Sequence, residues 1–293
     1  MNLNTFIVSV FTIIDDWYKK RQMNLRKRGP QPILHDSEVL TIEIVGAFLG
    51  MSKDKDVFLY FRRHYARYFP KLAKVHRTTY ARQSANLWFV KERLWQDLLS
   101  QIAFDPAFTL IDSMPVPVCR FARASRCHRL VEISAYGYDE VARQTFFGVR
   151  AHLQICWPGV IVGLKIAPAD THELHVAEEM LIGASGWVLG DRNYWSPELM
   201  NRLNEHGLHL LAPFKKAKNE KTPWPKWLKH KRYRIETVFD QLVERFQAKQ
   251  VWARDAWHFC SRWLRQILGH NFAVFLCQQN GVSSLKFADL VID

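Results

Sequence analysis

Two short apolar runs, each closed by an aspartate, constrain this chain more than any other feature. Phe108-Thr-Leu-Ile-Asp112 and Trp187-Val-Leu-Gly-Asp191 have the length and apolar content of buried strands. Each delivers a carboxylate to the end of its strand. Between them, Phe147 to Trp157 and Val160 to Ala167 read as two more strands, and Pro158-Gly159 is a turn signal that makes them an antiparallel hairpin. A helix is expected from about His172 to Ile182. Another starts at Ser196-Pro197-Glu198, with a serine cap and a first-turn proline. Leu208 to Ala212 reads as a strand, and the Lys/Pro/Trp-rich segment 213–231 reads as a loop. Last, Tyr233 to Lys249 reads as a helix, its apolar stripe made by Ile235, Val238, Phe239, Leu242 and Phe246. Strand, hairpin, helix, strand, helix, strand, helix is the order of the ribonuclease-H-like α/β fold, a mixed sheet flanked by helices. In such a sheet the first and fourth strands are neighbours, so Asp112 and Asp191 are expected side by side.

The first hundred residues read differently. His35-Asp-Ser-Glu38 offers caps ahead of an apolar helix from Val39 to Leu49 closed by Gly50. Asp54 to Tyr65 reads as a second helix and Thr78 to Ile102 as a third, with Leu87, Trp88, Val90, Leu94, Trp95, Leu98 and Leu99 at helical spacing. The expected organisation is an all-helical, helix-turn-helix-like DNA-binding region over 1–104, then a catalytic domain over 105–293.

Charge supports a polyanionic partner. The chain carries 41 Lys+Arg against 28 Asp+Glu, a formal net charge of +13, and the excess is clustered. Lys19–Arg28 holds six basic residues and no acid; Phe61–Arg82 holds seven and no acid; Lys215–Arg234 holds nine against Glu220 alone. Aromatic residues interleave the last two runs, so phosphate neutralisation and base stacking are both available. Arg62, Arg63, Arg67, Lys215, Lys216, Lys229 and Lys231 are the candidate DNA contacts. No run reaches the roughly 20 apolar residues of a membrane span, and the N-terminus has no signal-peptide pattern, so no membrane association and a cytoplasmic location are expected. The five cysteines show no C-x-x-C spacing and are expected to be free thiols.

Phosphoryl transfer on DNA needs an attacking oxygen activated and a leaving oxygen stabilised, which two divalent ions roughly 4 Å apart accomplish. Hard cations such as Mg²⁺ take carboxylate oxygens and keep several waters. Asp112 and Asp191 supply two carboxylates, and Glu236, expected in the first turn of the last helix, supplies a third. Arg232, one helical turn earlier, is placed to orient Glu236 or hold a phosphate. Taken singly, each acid has an ordinary reading as a turn or dipole residue; their joint order on these elements is the argument.

The same residues carry a resemblance. IDSMPVPVC (111–119), AYGYDEVARQTFFGVRAHL, PADTHE, GDRNYW and RYRIETVFDQLVERF resemble the blocks of DDE transposases from bacterial insertion sequences, most closely the insertion-sequence 982 group. LHDSEVLTIEIVGAFLG and YFRRHYARYFPKL are similar to that group as well. The resemblance implies Asp112, Asp191 and Glu236 as catalytic acids and metal ligands, and Mg²⁺ (with Mn²⁺ able to substitute) at two ions per site. It also implies cutting and joining of double-stranded DNA, at element ends and in target DNA, by a homo-oligomer in a bacterial cytoplasm, associated with the nucleoid when bound to DNA. The related pattern Y-x2-R-x3-E-x6-K keeps Arg232 and Glu236 but has Lys229 at its Tyr position and Val243 at its Lys position; Lys249 or Arg245 are the candidate replacements. The rival readings are a metal-dependent nuclease that does not join DNA, and a DNA-binding protein that has lost catalysis.

Three smaller features complete the reading. Tyr194 and Trp195 follow Asp191 and either stack on a displaced base or pack beneath the loop. Asp170 is a candidate helix cap. His172 and His175 lack a third ligand at zinc spacing and are expected to support the pocket.

Overall fold

The computed structural model describes residues 1–21, 30–214 and 224–292. The chain forms two compact units, Met1–Ile102 with Leu242–Asp293, and Ala103–Gln241. No described helix is long and apolar enough to cross a membrane.

The first unit is helical. It contains α1 (Leu3–Lys20), α2 (Asp36–Phe48), α3 (Asp54–His64), α4 (Arg77–Asn86) and α5 (Trp88–Leu99). His35 caps α2 in a capping box with Glu38, which satisfies two of the helix's orphan N–H groups. The expected single helix over 78–102 is two, broken at Leu87, whose φ of −87° and ψ of 11° lie off the helical values.

The second unit is built on a mixed six-stranded sheet. In chain order it contains β1 (Asp105–Pro117), β2 (Ala135–Asp139), β3 (Gln144–Trp157), β4 (Val160–Pro168), α6 (Glu173–Met180), β5 (Gly186–Leu189), α7 (Pro197–Glu205) and β6 (Leu208–Leu211). The strand order is β2-β3-β1-β5-β6, with β4 also pairing β3. β1 runs antiparallel to β3 and parallel to β5, and β5 runs parallel to β6. Without β2, this is the five-stranded ribonuclease-H-like sheet with its first and fourth strands adjacent. β2 is an addition that pairs with residues 144–148 of β3, while β4 takes residues 149–156. One core cluster joins Ile111 and Val188 of the sheet to Ala177 of α6 and Leu181 just after that helix, to Leu199 and Leu203 of α7, and to Leu208 and Leu210 of β6.

α8 (Lys226–Glu244) follows, and α9 (Ala256–Gln279) and α10 (Phe287–Leu290) come last among the described helices. α9 is buried on almost every side from Trp263 to Cys277, so it needs cover all round. It finds that cover against α2, α4 and α5. That packing is why the second unit stops near 241, whereas the sequence reading carried it to 293. Buried charges pin the helices: Lys91 of α5 lies 2.7 Å from Glu43 of α2, and Arg265 of α9 lies 2.6 Å from Asp54 of α3. Such pairs add little net stability, but a partner left alone in the interior is costly.

Candidate active site

β1 and β5 pair in parallel as Phe108↔Trp187, Thr109↔Val188 and Leu110↔Leu189. Asp112 lies two residues past Leu110, and Asp191 lies two past Leu189. The two carboxylates therefore leave neighbouring strands, which run roughly 4.8 Å from each other in any sheet, at matching positions where the ladder between them has ended. β1 itself does not end on Asp112. It runs on to Pro117, paired with β3, so Asp112 opposes Leu153 there. The crevice opens because β5 stops, not because β1 does.

The turn after β5 is built to present Asp191. Its side chain accepts from Asn193 N at 2.9 Å and caps the 3₁₀ turn Arg192–Tyr194. Gly190 precedes it because the backbone passes close to Tyr194: a Cβ on Gly190 would lie 2.8 Å from the Tyr194 Cβ. Tyr194 is 1% exposed and belongs to the core. Its supporting role is packing beneath the acid, and its ring is not presented for base stacking. Trp195 instead stacks on Phe214, with ring centroids 5.2 Å apart.

Alternation along β1 places Asp112 on the face that carries Phe108, over whose ring Lys231 of α8 lies. Ser113 falls on the opposite face. There its hydroxyl donates to Glu173 Oε1 at 2.5 Å, and Arg150 Nη1 donates to both at 3.2 and 3.3 Å. Arg150 also donates to the Tyr138 carbonyl at 2.7 Å, so β1, β2, β3 and α6 meet at this cluster. Asp112 Oδ1 accepts from Ser113 N at 2.7 Å.

The electrostatics are those of crowded carboxylates. Burial first, then Asp191, pushes the Asp112 carboxyl up to about 8. Burial first, then Glu173, pushes Asp191 up to about 6. Arg232 opposes both shifts. Glu173 and Arg150 were not singled out in the sequence. The available signal was an acid in the first turn of the helix after the PADTH segment.

Glu236 is placed differently from expectation. α8 begins at Lys226, so Glu236 lies in mid-helix and has no first-turn dipole role. Its carboxylate accepts from Arg232 Nη2 at 3.0 Å. The structure brings Asp112 and Asp191 together and adds Glu173, while Glu236 connects to them through Arg232. Among the described residues, no group of three or more His, Cys, Asp or Glu is close enough to hold a metal ion. The Asp112–Asp191 pair alone fits a divalent cation: two hard oxygen donors whose charges oppose each other and gain from a cation between them.

A cleft of about 550 Å³ opens at Asp191, lined also by Arg192, Asn193, Glu140, Trp224, Lys229 and Arg232. Lys229, read as a loop residue, faces it from α8. Lys231 packs on the Trp157 ring, 3.3 Å from its centroid. Arg62 and Arg63 end α3 and are exposed, as is Arg67; Lys215 and Lys216 lie outside the described residues. Arg245 stacks on Phe48 at 4.9 Å, so it is engaged in packing. Asp170 does not cap α6; His172 does, accepting from Leu174 N, and the His172 and His175 rings are 6.2 Å apart.

Comparison with known proteins gives the family. The family model described as "Transposase DDE domain" matches residues 105–254. No curated protein matches the chain. Among solved structures, a piggyBac transposase synaptic complex with hairpin DNA is similar at 10% identity and a TM-score of 0.48, covering 96% of this chain and 76% of that one. The Mos1 mariner paired-end complex with Mn is similar at 10% identity and a TM-score of 0.25, covering 89% and 86%. At these scores the fold assignment stands on the strand order itself. The family model spans more than half of the chain and includes both register-matched aspartates, and the chain belongs to the DDE-domain transposases.

Proposed function

We propose that this transposase cuts double-stranded DNA at the ends of an insertion sequence of the 982 type and joins the freed 3′-hydroxyl to target DNA. The observation that carries the proposal is the register match of Asp112 and Asp191 at the mouth of a crevice, with both carboxyls pushed up by burial and neighbouring charge. Asp112 and Asp191 would hold the metal, Mg²⁺ with Mn²⁺ able to substitute, at two ions per site, and Glu236, which Arg232 holds in the metal-free protein, would complete the ligand set. The metal supplies Lewis-acid stabilisation of the attacking and leaving oxygens. Lys229 and Arg232 give the cleft its cationic wall, where a backbone phosphate sits opposite the acids. Arg232 holds Glu236 by its carboxylate and draws negative charge away from the aspartates.

The chemistry needs no covalent protein intermediate. Water attacks the phosphorus at the element end, the P–O3′ bond breaks, and a 3′-hydroxyl leaves. That hydroxyl then attacks a target phosphodiester, forming one P–O bond as another breaks. The working form on DNA is a homo-oligomer in a bacterial cytoplasm, associated with the nucleoid.

The test is incubation of wild type and Asp191→Asn with Mg²⁺ or Mn²⁺ and a duplex bearing the element's own terminal repeats, read on a denaturing gel. Wild type yields cut and joined strands, and Asp191→Asn loses both by at least a hundredfold, the scale of removing an essential electrostatic group. Cutting without joining reassigns the protein as a nuclease. Binding without cutting reassigns it as a DNA-binding protein that has lost catalysis.

A further inference from the structure

Between β1 and β2 the chain carries a basic segment that the proposed chemistry does not use. Residues 113–131 contain Arg120, Arg123, Arg126, Arg129 and His128 and no acidic residue. The arginines are spaced by three. The segment folds as a 3₁₀ helix over Phe121–Arg126, with Arg120 at its N-cap. In a 3₁₀ helix, residues i and i+3 eclipse and each residue rises about 2 Å. Arg123 and Arg126 therefore lie on one side about 6 Å apart, with Arg120 in extended backbone just before them, a spacing close to the roughly 7 Å axial spacing of alternate phosphates on one DNA strand.

The row is held on a fixed base. Ala124 and Leu130 are buried, the helix packs against β3, and the Cys119 and Cys127 thiols at its two ends interact with each other. All four arginines are exposed, and among the described residues none is paired with a carboxylate. An exposed aromatic edge runs alongside: Phe121 and Tyr136 are 55% and 51% exposed, with ring centroids 6.3 Å apart. β2, which carries Tyr136, is joined to the acid cluster through Arg150, which donates to the Tyr138 carbonyl.

We infer that the 120–129 arginine row, with Phe121 and Tyr136, is a DNA-backbone-binding surface of the catalytic unit, separate from the cleft between Asp191 and α8. The inference rests on the reading of this protein as a DNA transposase and adds to it a surface for the duplex flanking the cut. Unpaired guanidiniums in a row suit phosphates, since bidentate contacts need a donor fork not already occupied.

The test uses the full chain without divalent metal and a fluorescein-labelled duplex of random sequence, with anisotropy titrations between 50 and 200 mM salt. Replacing Arg123 and Arg126 with alanine makes the slope of log K against log salt shallower by about 2, since each phosphate contact contributes roughly 0.9. Arg123→Lys with Arg126→Lys keeps most of the slope, which separates loss of charge from loss of fold. An alanine variant that binds with the wild-type slope, while wild type still cuts and joins DNA, overturns this inference alone. A wild type whose slope depends on these arginines but which never cuts DNA leaves the surface standing and sinks the catalytic reading. A wild type that binds no duplex overturns both.

Discussion

Asp112 and Asp191 set the behaviour of the catalytic unit at the scale of single residues. Unfolded, each acid has a pKa near 3.8; folded, burial and neighbouring carboxylates raise Asp112 to about 8 and Asp191 to about 6. Between those values the folded state binds more protons than the unfolded state, so stability falls as pH rises from about 4 to 8. Asp112→Asn removes one of the opposed charges and keeps an acceptor for Ser113 N. The metal-free variant should therefore melt above wild type at pH 8, by roughly 2–4 °C for each kcal/mol of strain relieved, and the gap should close near pH 4. A thermal melt at both pH values checks this, and equal melting temperatures at pH 8 would contradict it. The adjacency of the two aspartates is legible in the sequence because each directly follows a short apolar run. Glu173 and Arg150 were not, because their meeting depends on strand alternation and on residues 23 to 60 positions apart.

Elements show where local pattern suffices and where packing decides. The hairpin of β3 and β4 and the Ser196 cap of α7 were readable, since a turn signal and a cap with first-turn proline act locally. α8 starts seven residues before the position its pattern suggests, because the basic residues from Lys226 to Arg232 conceal that Leu228 is buried about two turns ahead of the stripe. That shift moves Glu236 from the first turn to mid-helix. β2 was missed because Ala135–Asp139 alternates only between half-buried and exposed and gains its order from pairing with β3. The turn after β5 depends on one close approach. Gly190→Ala would put a methyl 2.8 Å from Tyr194, a core residue that cannot swing away, and overpacking of this kind costs about 1–3 kcal/mol. Urea unfolding is expected to show that loss, together with weaker activity from a displaced Asp191; a neutral effect on both would show that the turn relaxes freely.

At the scale of the whole molecule, the order of strands and helices was sufficient to read the ribonuclease-H-like sheet and the adjacency of its two acidic strands. The return of residues 242–293 to the helical unit was not readable. α9 is apolar enough to need cover on all sides, and nothing local says which helices supply it. The central claim is that the Asp112–Asp191 pair is a metal centre. The most direct measurement is Mn²⁺ titration followed by electron paramagnetic resonance, on wild type, Asp112→Asn and Asp191→Asn. Wild type is expected to bind Mn²⁺ saturably, and either substitution to weaken binding at least tenfold. Unchanged Mn²⁺ binding in both variants would contradict it.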